Sequence, residues 1–139
     1  MFLTRECDYS IRTIRALACG EKKTVEEICS DEHIPGQYAY KILKQLERAG
    51  FVQSLRGRYG GYQLSKPLDT ITIYDIVSAT SNNLVLNECL KDSEKCSRNL
   101  DMSPCAVHHE LRRIQQILVS ELSSKTFPEL IAEFAEDFK

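Results

Sequence analysis

Apolar residues recur along the first half of this chain at the three-to-four-residue spacing of amphipathic helices, and turn-forming residues punctuate the pattern. Over residues 5–19, Ile11, Ile14 and Ala18 share one stripe with Leu17 beside it, which predicts a first helix. Thr24-Val25-Glu26-Glu27 has the spacing of a capping box: the threonine can accept from a backbone N–H three residues on while the glutamate reaches back. A short second helix should start there, bury Val25, Ile28 and Cys29, and stop at His33-Ile34-Pro35-Gly36. A third is predicted over residues 36–49, with Ala39, Ile42, Leu43 and Leu46 inward and Tyr38, Lys41, Lys44, Gln45 and Arg48 outward, closed by Gly50.

The period then shortens. Residues 51–55 and 62–64 read as two strands, joined by Arg56-Gly57-Arg58-Tyr59-Gly60-Gly61. A short helix, a tight turn, a longer helix with a basic outer face and a hairpin make a winged helix-turn-helix. Pro67 and Asp69 mark a turn, and Thr72 with Asp75 repeats the capping-box spacing ahead of Ile73, Ile76 and Val77, a helix interrupted by Asn82 and Asn83. Residues 81–103 show no sustained period. Ser103-Pro104 reads as N-cap and first residue of a long helix to about Ser123, striped by Val107, Leu111, Ile114, Leu118 and Leu122 with Ile117 alongside. Phe127, Leu130, Ile131, Phe134 and Phe138 form a second stripe behind it. The expected fold is mainly α with a small β-hairpin wing. A winged helix-turn-helix domain spans 1–80, a cysteine-bearing loop 81–103, and a long dimerisation helix with a C-terminal helix 104–139. So broad an apolar face exceeds what a small winged helix covers, and helix-turn-helix readers pair to grip two half-sites, so a homodimer is expected.

Charge adds a partner. The formal net charge of -2 over 139 residues gives no hint of a polyanion, but its distribution does. Residues 34–66 hold six basic side chains (Lys41, Lys44, Arg48, Arg56, Arg58, Lys66) against the single acid Glu47, within an otherwise acidic chain. Double-stranded DNA is the expected partner, read by Tyr38, Lys41 and Lys44 on the third helix and by Arg56, Arg58 and Tyr59 at the wing, with Gly60 and Gly61 letting the backbone come close. No apolar run is long enough to cross a bilayer and the start has no export signal, so a cytoplasmic protein without membrane contact is expected. No substrate-pocket motif appears, and an enzyme is not expected.

The remaining chemistry is sulfur. Cys89, Cys96 and Cys105, separated by six and eight residues, precede His108 and His109. Thiolates and imidazoles bind soft and borderline metals, and in a reducing cytosol such a set suits metal or redox use better than structural disulfides. Cys105 falls in the opening turn of the long helix, whose partial positive charge favours thiolate, and His108 lies three residues on. An iron-sulfur cluster, a zinc site of Cys89, Cys96, Cys105 and His108, and a reversible thiol switch all fit these residues. Cys7 and Cys29 read as buried small residues, and Cys19 has no assigned role.

The opening Leu3-Thr4 with Tyr9, the helix-turn-helix, the wing string Arg56-Gly57-Arg58-Tyr59-Gly60-Gly61-Tyr62-Gln63-Leu64 and the cysteine triad ahead of a long helix resemble the bacterial IscR/NsrR/RirA-type regulators over nearly the whole chain. The resemblance implies a homodimeric winged-helix transcription regulator, a repressor, acting on a palindromic operator. It further implies one iron-sulfur cluster per subunit, 2Fe-2S or 4Fe-4S, whose status sets DNA binding. Cys89, Cys96 and Cys105 match the thiolate ligands of that family, with longer spacers here. His108 matches the histidine that completes the site in IscR-like members, and Asp8 matches the carboxylate that reaches the cluster from the partner subunit in NsrR-like ones. Arg12 stands where another branch has a ligating histidine and cannot ligate. Gln37, Tyr40 and Lys41 occupy base-reading positions, but Tyr40 replaces the glutamate of IscR-like proteins, so the operator sequence does not carry over.

Overall fold

The computed structural model describes residues 3–81, 84–91, 96–98 and 103–137, with side chains described as far as residue 133. Asn82, Asn83 and Phe138, and the side chain of Phe134, lie outside these.

Helix α1 (Arg5–Ala16) is capped by Thr4, whose hydroxyl accepts from the Cys7 N–H. It ends earlier than its stripe predicts: Leu17 is the C-cap, and Ala18 and Cys19 follow outside the helix. Both predicted capping boxes form. Thr24 opens α2 (Val25–Glu32) with Glu27, and Thr72 opens α4 (Ile73–Thr80) with Asp75. Helix α2 ends at His33, a non-glycine residue with φ of 53°, and the chain turns directly into α3 (Gly36–Arg48). Ala39, Ile42, Leu43 and Leu46 of α3 are buried as predicted and pack with Ile14, Leu17, Ile28 and Ile76 from the helices around them. Each such aliphatic side chain contributes about 1.5–3 kcal/mol by leaving water. In α2 only Ile28 of the expected apolar set is fully buried; Val25 and Cys29 are partly exposed. Glu32 locks α1 to α2: its carboxylate accepts from Arg15 Nε at 3.0 Å and its carbonyl from Arg12 Nη1 at 3.1 Å.

Strands β1 (Val52–Leu55) and β2 (Gly61–Leu64) pair antiparallel, with Val52 opposite Leu64 and Leu55 opposite Gly61. Lys23 adds a third, one-residue rung, its N–H donating to Tyr62 O at 2.9 Å and its carbonyl accepting from Tyr62 N at 2.8 Å. This rung explains the wing glycines differently from DNA approach. A Cβ on Gly61, whose φ is 153°, would lie 2.7 Å from Lys23 O, and one on Gly60 would lie 2.3 Å from Leu55 O. Both positions exclude a side chain because the protein's own backbone, of the wing at Gly60 and of Lys23 at Gly61, occupies the space.

The C-terminal third corrects two expectations. Helix α5 (Ala106–Ser123) is capped by Cys105 and not by Ser103: the Cys105 sulfur accepts from the His108 N–H at 3.4 Å. Helix α6 (Phe127–Asp137) folds back on the N-terminal body, where Phe127 donates its N–H to Ile71 O at 2.9 Å and buries its ring in the winged-helix core instead of facing a partner. Helix α5 itself buries only His108 among its described side chains, while Val107, Ile114 and Ile117 are 66, 40 and 49% exposed.

Candidate metal centre and nucleic-acid interface

Cys89 sits on a single 3₁₀ turn, Glu88–Leu90, opened by Asn87, and Cys96 lies in irregular chain. Beyond the local Asn87 cap, Gln115 of α5 holds this segment. Its side-chain carbonyl accepts from Leu86 N at 2.8 Å and its amide donates to the Leu84 carbonyl, so one glutamine holds the backbone leading into Cys89 against α5. The result brings Cys89, Cys96 and His108 together, with one ligand atom from each lying within 4.8 Å of the others. Donors around one metal at about 2.0–2.3 Å stand up to roughly 4 Å apart, so a small contraction suffices to share an ion.

His108 is 1% exposed. Burial, with Arg112 and His109 nearby, holds its imidazole below the usual histidine value, which favours the neutral form that offers a lone pair to a metal. Its Nδ1 is buried and has no hydrogen-bond partner among the described residues, and its Nε2 lies 2.8 Å from Arg112 Nη2. Burial, then the neighbouring Cys96 and Cys105, pushes the Cys89 thiol up, as expected where sulfurs that would all become thiolates crowd together. Cys105 stands beside this trio, its sulfur at the N-terminus of α5. Two thiols and a neutral buried imidazole are a donor set that fits zinc or iron-sulfur chemistry.

Asp8 lies elsewhere in the chain's own organisation. It is exposed on α1, and both its oxygens are held by Arg12, Oδ1 by Nε at 3.1 Å and Oδ2 by Nη2 at 3.0 Å. Cys7 is fully buried between α1 and α4, as expected. Burial raises its thiol, but hydrogen bonds from Thr4, at 3.3 Å, and from Thr80 outweigh that and leave it below the ordinary cysteine value. Cys19 is exposed.

On the face expected to read DNA, Gln37, Tyr40, Lys41 and Lys44 of α3 are exposed, as are Arg56, Arg58 and Tyr59 at the wing tip. Tyr38 departs from its outward expectation: half-buried, its ring packs on Tyr9 at 5.3 Å between centroids. Three features had no signal in the helical period. Lys41 is ion-paired with Glu6 of α1, so one cation of the reading helix already has a counter-charge. Glu47, the single acid of the basic segment, accepts from Ser54 N at 3.0 Å and Ser54 Oγ at 2.7 Å, tying α3 to the wing. Lys22 Nζ donates to the Tyr59 carbonyl at 2.5 Å, so the wing tip is also anchored from the loop before α2.

Residues 3–133 match the Rrf2 family, described as iron-dependent transcriptional regulators. The chain belongs to the Rrf2 family. It is 31% identical over 133 residues to protein aau3 of Rhizobium meliloti, covering 94% of this chain and 85% of that one. It is also 31% identical over 125 residues to a helix-turn-helix-type transcriptional regulator of Aquifex aeolicus, covering 88% and 86%. Among solved structures, CymR, the global cysteine regulator of B. subtilis, superimposes with a TM-score of 0.74 at 22% identity over 94% of this chain and 95% of that one. The IscR of T. potens gives 0.74 at 17% identity over 96% and 88%. The winged-helix regulator fold is therefore shared with both. This Rrf2-family protein is a transcriptional regulator and not an enzyme, as the sequence led us to expect. None of its described helices is long and apolar enough to cross a membrane.

Proposed function

We propose that this Rrf2-family regulator is a cytoplasmic homodimer that represses from a palindromic operator and senses iron or redox state through an iron-sulfur cluster held by Cys89, Cys96, Cys105 and His108. The observation that carries the reading is the convergence of Cys89 and Cys96 from the loop with the buried His108 of α5. A bound cluster supplies a centre that nitric oxide, oxygen or iron loss attacks, and three thiolates with one imidazole hold it less firmly than four thiolates. Cys105 joins the set from the cap of α5, so the ligands tie the loop to that helix.

Dimerisation is supported by the exposed Val107, Ile114 and Ile117 on α5, a helix none of whose apolar side chains is fully buried. The exposed cations Lys44, Arg56 and Arg58 face duplex phosphate, with Gln37, Tyr40 and Lys41 placed for base edges. In this reading residues 1–80 are the DNA-reading unit, 81–103 the cluster loop and 104–139 the dimer arm.

Of the two candidates for the fourth ligand, His108 is favoured because it already stands with two of the sulfurs, whereas Asp8 is chelated by Arg12. The anaerobic visible spectrum decides between them. His108→Ala should shift the cluster bands or shorten their lifetime in air while Asp8→Ala leaves both unchanged, and the opposite result assigns the ligand to Asp8. Zinc without iron in anaerobically purified protein would replace the cluster by a structural zinc site.

A further inference from the structure

The hydrogen bond between Arg112 and His108 constrains which histidine nitrogen can take a metal. A guanidinium carries only N–H donors and no acceptor. Its approach to 2.8 Å therefore requires His108 Nε2 to present a lone pair, and a neutral ring must then hold its proton on Nδ1, a buried atom with no hydrogen-bond partner among the described residues. A metal needs one of the two lone pairs. Coordination through Nε2 takes the pair that Arg112 uses. Coordination through Nδ1 moves the ring proton to Nε2, where an N–H would face the guanidinium N–H with no acceptor between them. Both routes break the Arg112 bond.

We propose that Arg112 is a gate on this metal site, a positioning residue whose guanidinium competes with the metal for His108. The proposal rests on the metal reading above and concerns how strongly the site holds its fourth ligand. With Arg112 in place the histidine is a reluctant ligand. Each coordination event gives up a charge-assisted hydrogen bond to a fully buried ring. Release of the metal is correspondingly eased, because the arginine is ready to take the ring back. Occupancy is also reported on α5. The Arg112 side chain, only partly exposed beside the histidine, must swing away when the metal binds and returns when it leaves. Arg112 follows His108 by four residues, one helical turn, so the two stay adjacent whatever the loop does.

Cobalt(II), titrated anaerobically into the full chain and followed by thiolate-to-cobalt charge-transfer and d–d absorption, tests the gate. Arg112→Met keeps the apolar stem and removes the donors, and it should bind cobalt roughly ten- to hundred-fold more tightly than the wild type, as expected from losing a hydrogen bond to a charged group. Arg112→Lys, which retains a cationic donor, should stay near the wild type, and adding His108→Ala to Arg112→Met should abolish the gain. Equal or weaker binding by Arg112→Met, or a gain that survives without His108, would overturn the gate while leaving the metal site standing. Absence of thiolate–cobalt bands in wild type and variants alike would remove the metal site and the gate together. Should Arg112→Met fail to fold, long-range proton–nitrogen NMR of the metal-free wild type still decides: a bare Nε2 and a protonated Nδ1 on His108 are required, and the reverse tautomer contradicts the proposal.

Discussion

The two ends of this chain bury different things. The winged-helix body fills its centre with aliphatic side chains from α1, α3 and α4, and even borrows Phe127 from α6. Helix α5 leaves its isoleucines in the open and buries a histidine. A body with a continuous apolar core holds its reading surface in one shape. An arm that fully buries only a candidate ligand and leaves Val107, Ile114 and Ile117 uncovered can have its conformation set by what binds it, the arrangement that the proposed sensor needs.

This contrast can be broken by mutation, beginning with the core. Leu43→Ala, at a fully buried position of α3, should cost about 3 kcal/mol in chemical denaturation, whereas Ile117→Ala on α5 should cost less than about 1 kcal/mol in dilute protein. Similar losses at the two sites would mean that α5 is part of the same core. The arm's apolar face is probed next. Ile117→Glu should raise the dimer dissociation constant at least about tenfold in sedimentation experiments without changing the far-ultraviolet circular dichroism. A dimer indifferent to this charge would place the interface on another surface.

Helix caps sharpen the comparison at smaller scale. Thr24→Ala, which removes one half of a formed capping box, should destabilise the body by about 1 kcal/mol. Ser103→Ala should stay within a few tenths of a kcal/mol, since Cys105 and not Ser103 caps α5. The smallest expected effect lies on the reading face. Lys44→Gln should reduce the salt slope of duplex binding by about 0.9, one phosphate's worth, and Lys41→Gln by less, because Glu6 already partners that lysine. Identical slopes would show that DNA displaces Glu6 completely.

What was legible in the sequence follows the same division. Within the body, the information is local: Thr24 and Glu27, or Thr72 and Asp75, are three residues apart and form their boxes as expected, and the alternation of α3 places Ile42, Leu43 and Leu46 correctly. Long-range contacts were not legible. No period announces that Gln115 will hold the Leu84 and Leu86 backbone, that Lys23 will pair with Tyr62, or that Phe127 will return to the first core. The wing glycines were found by their motif but given a reason outside the chain, while the backbone of Lys23 and Leu55 supplies one inside it. For the candidate site, residue chemistry and the family resemblance picked out Cys89, Cys96, Cys105, His108 and Asp8, of which the fold groups Cys89, Cys96 and His108, yet the role of Arg112 became visible only when the ring nitrogens had neighbours.

The central claim is that DNA affinity is coupled to the metal centre at the junction of loop and arm. Its most direct test reconstitutes the full chain anaerobically with iron and sulfide, quantifies both per subunit, and measures binding to a duplex selected from a random pool before and after the cluster is removed. Iron and sulfide present together, with affinity changing at least about tenfold on removal, is the predicted result. Unchanged affinity between loaded and stripped protein, or a chain that takes up no iron, would contradict it.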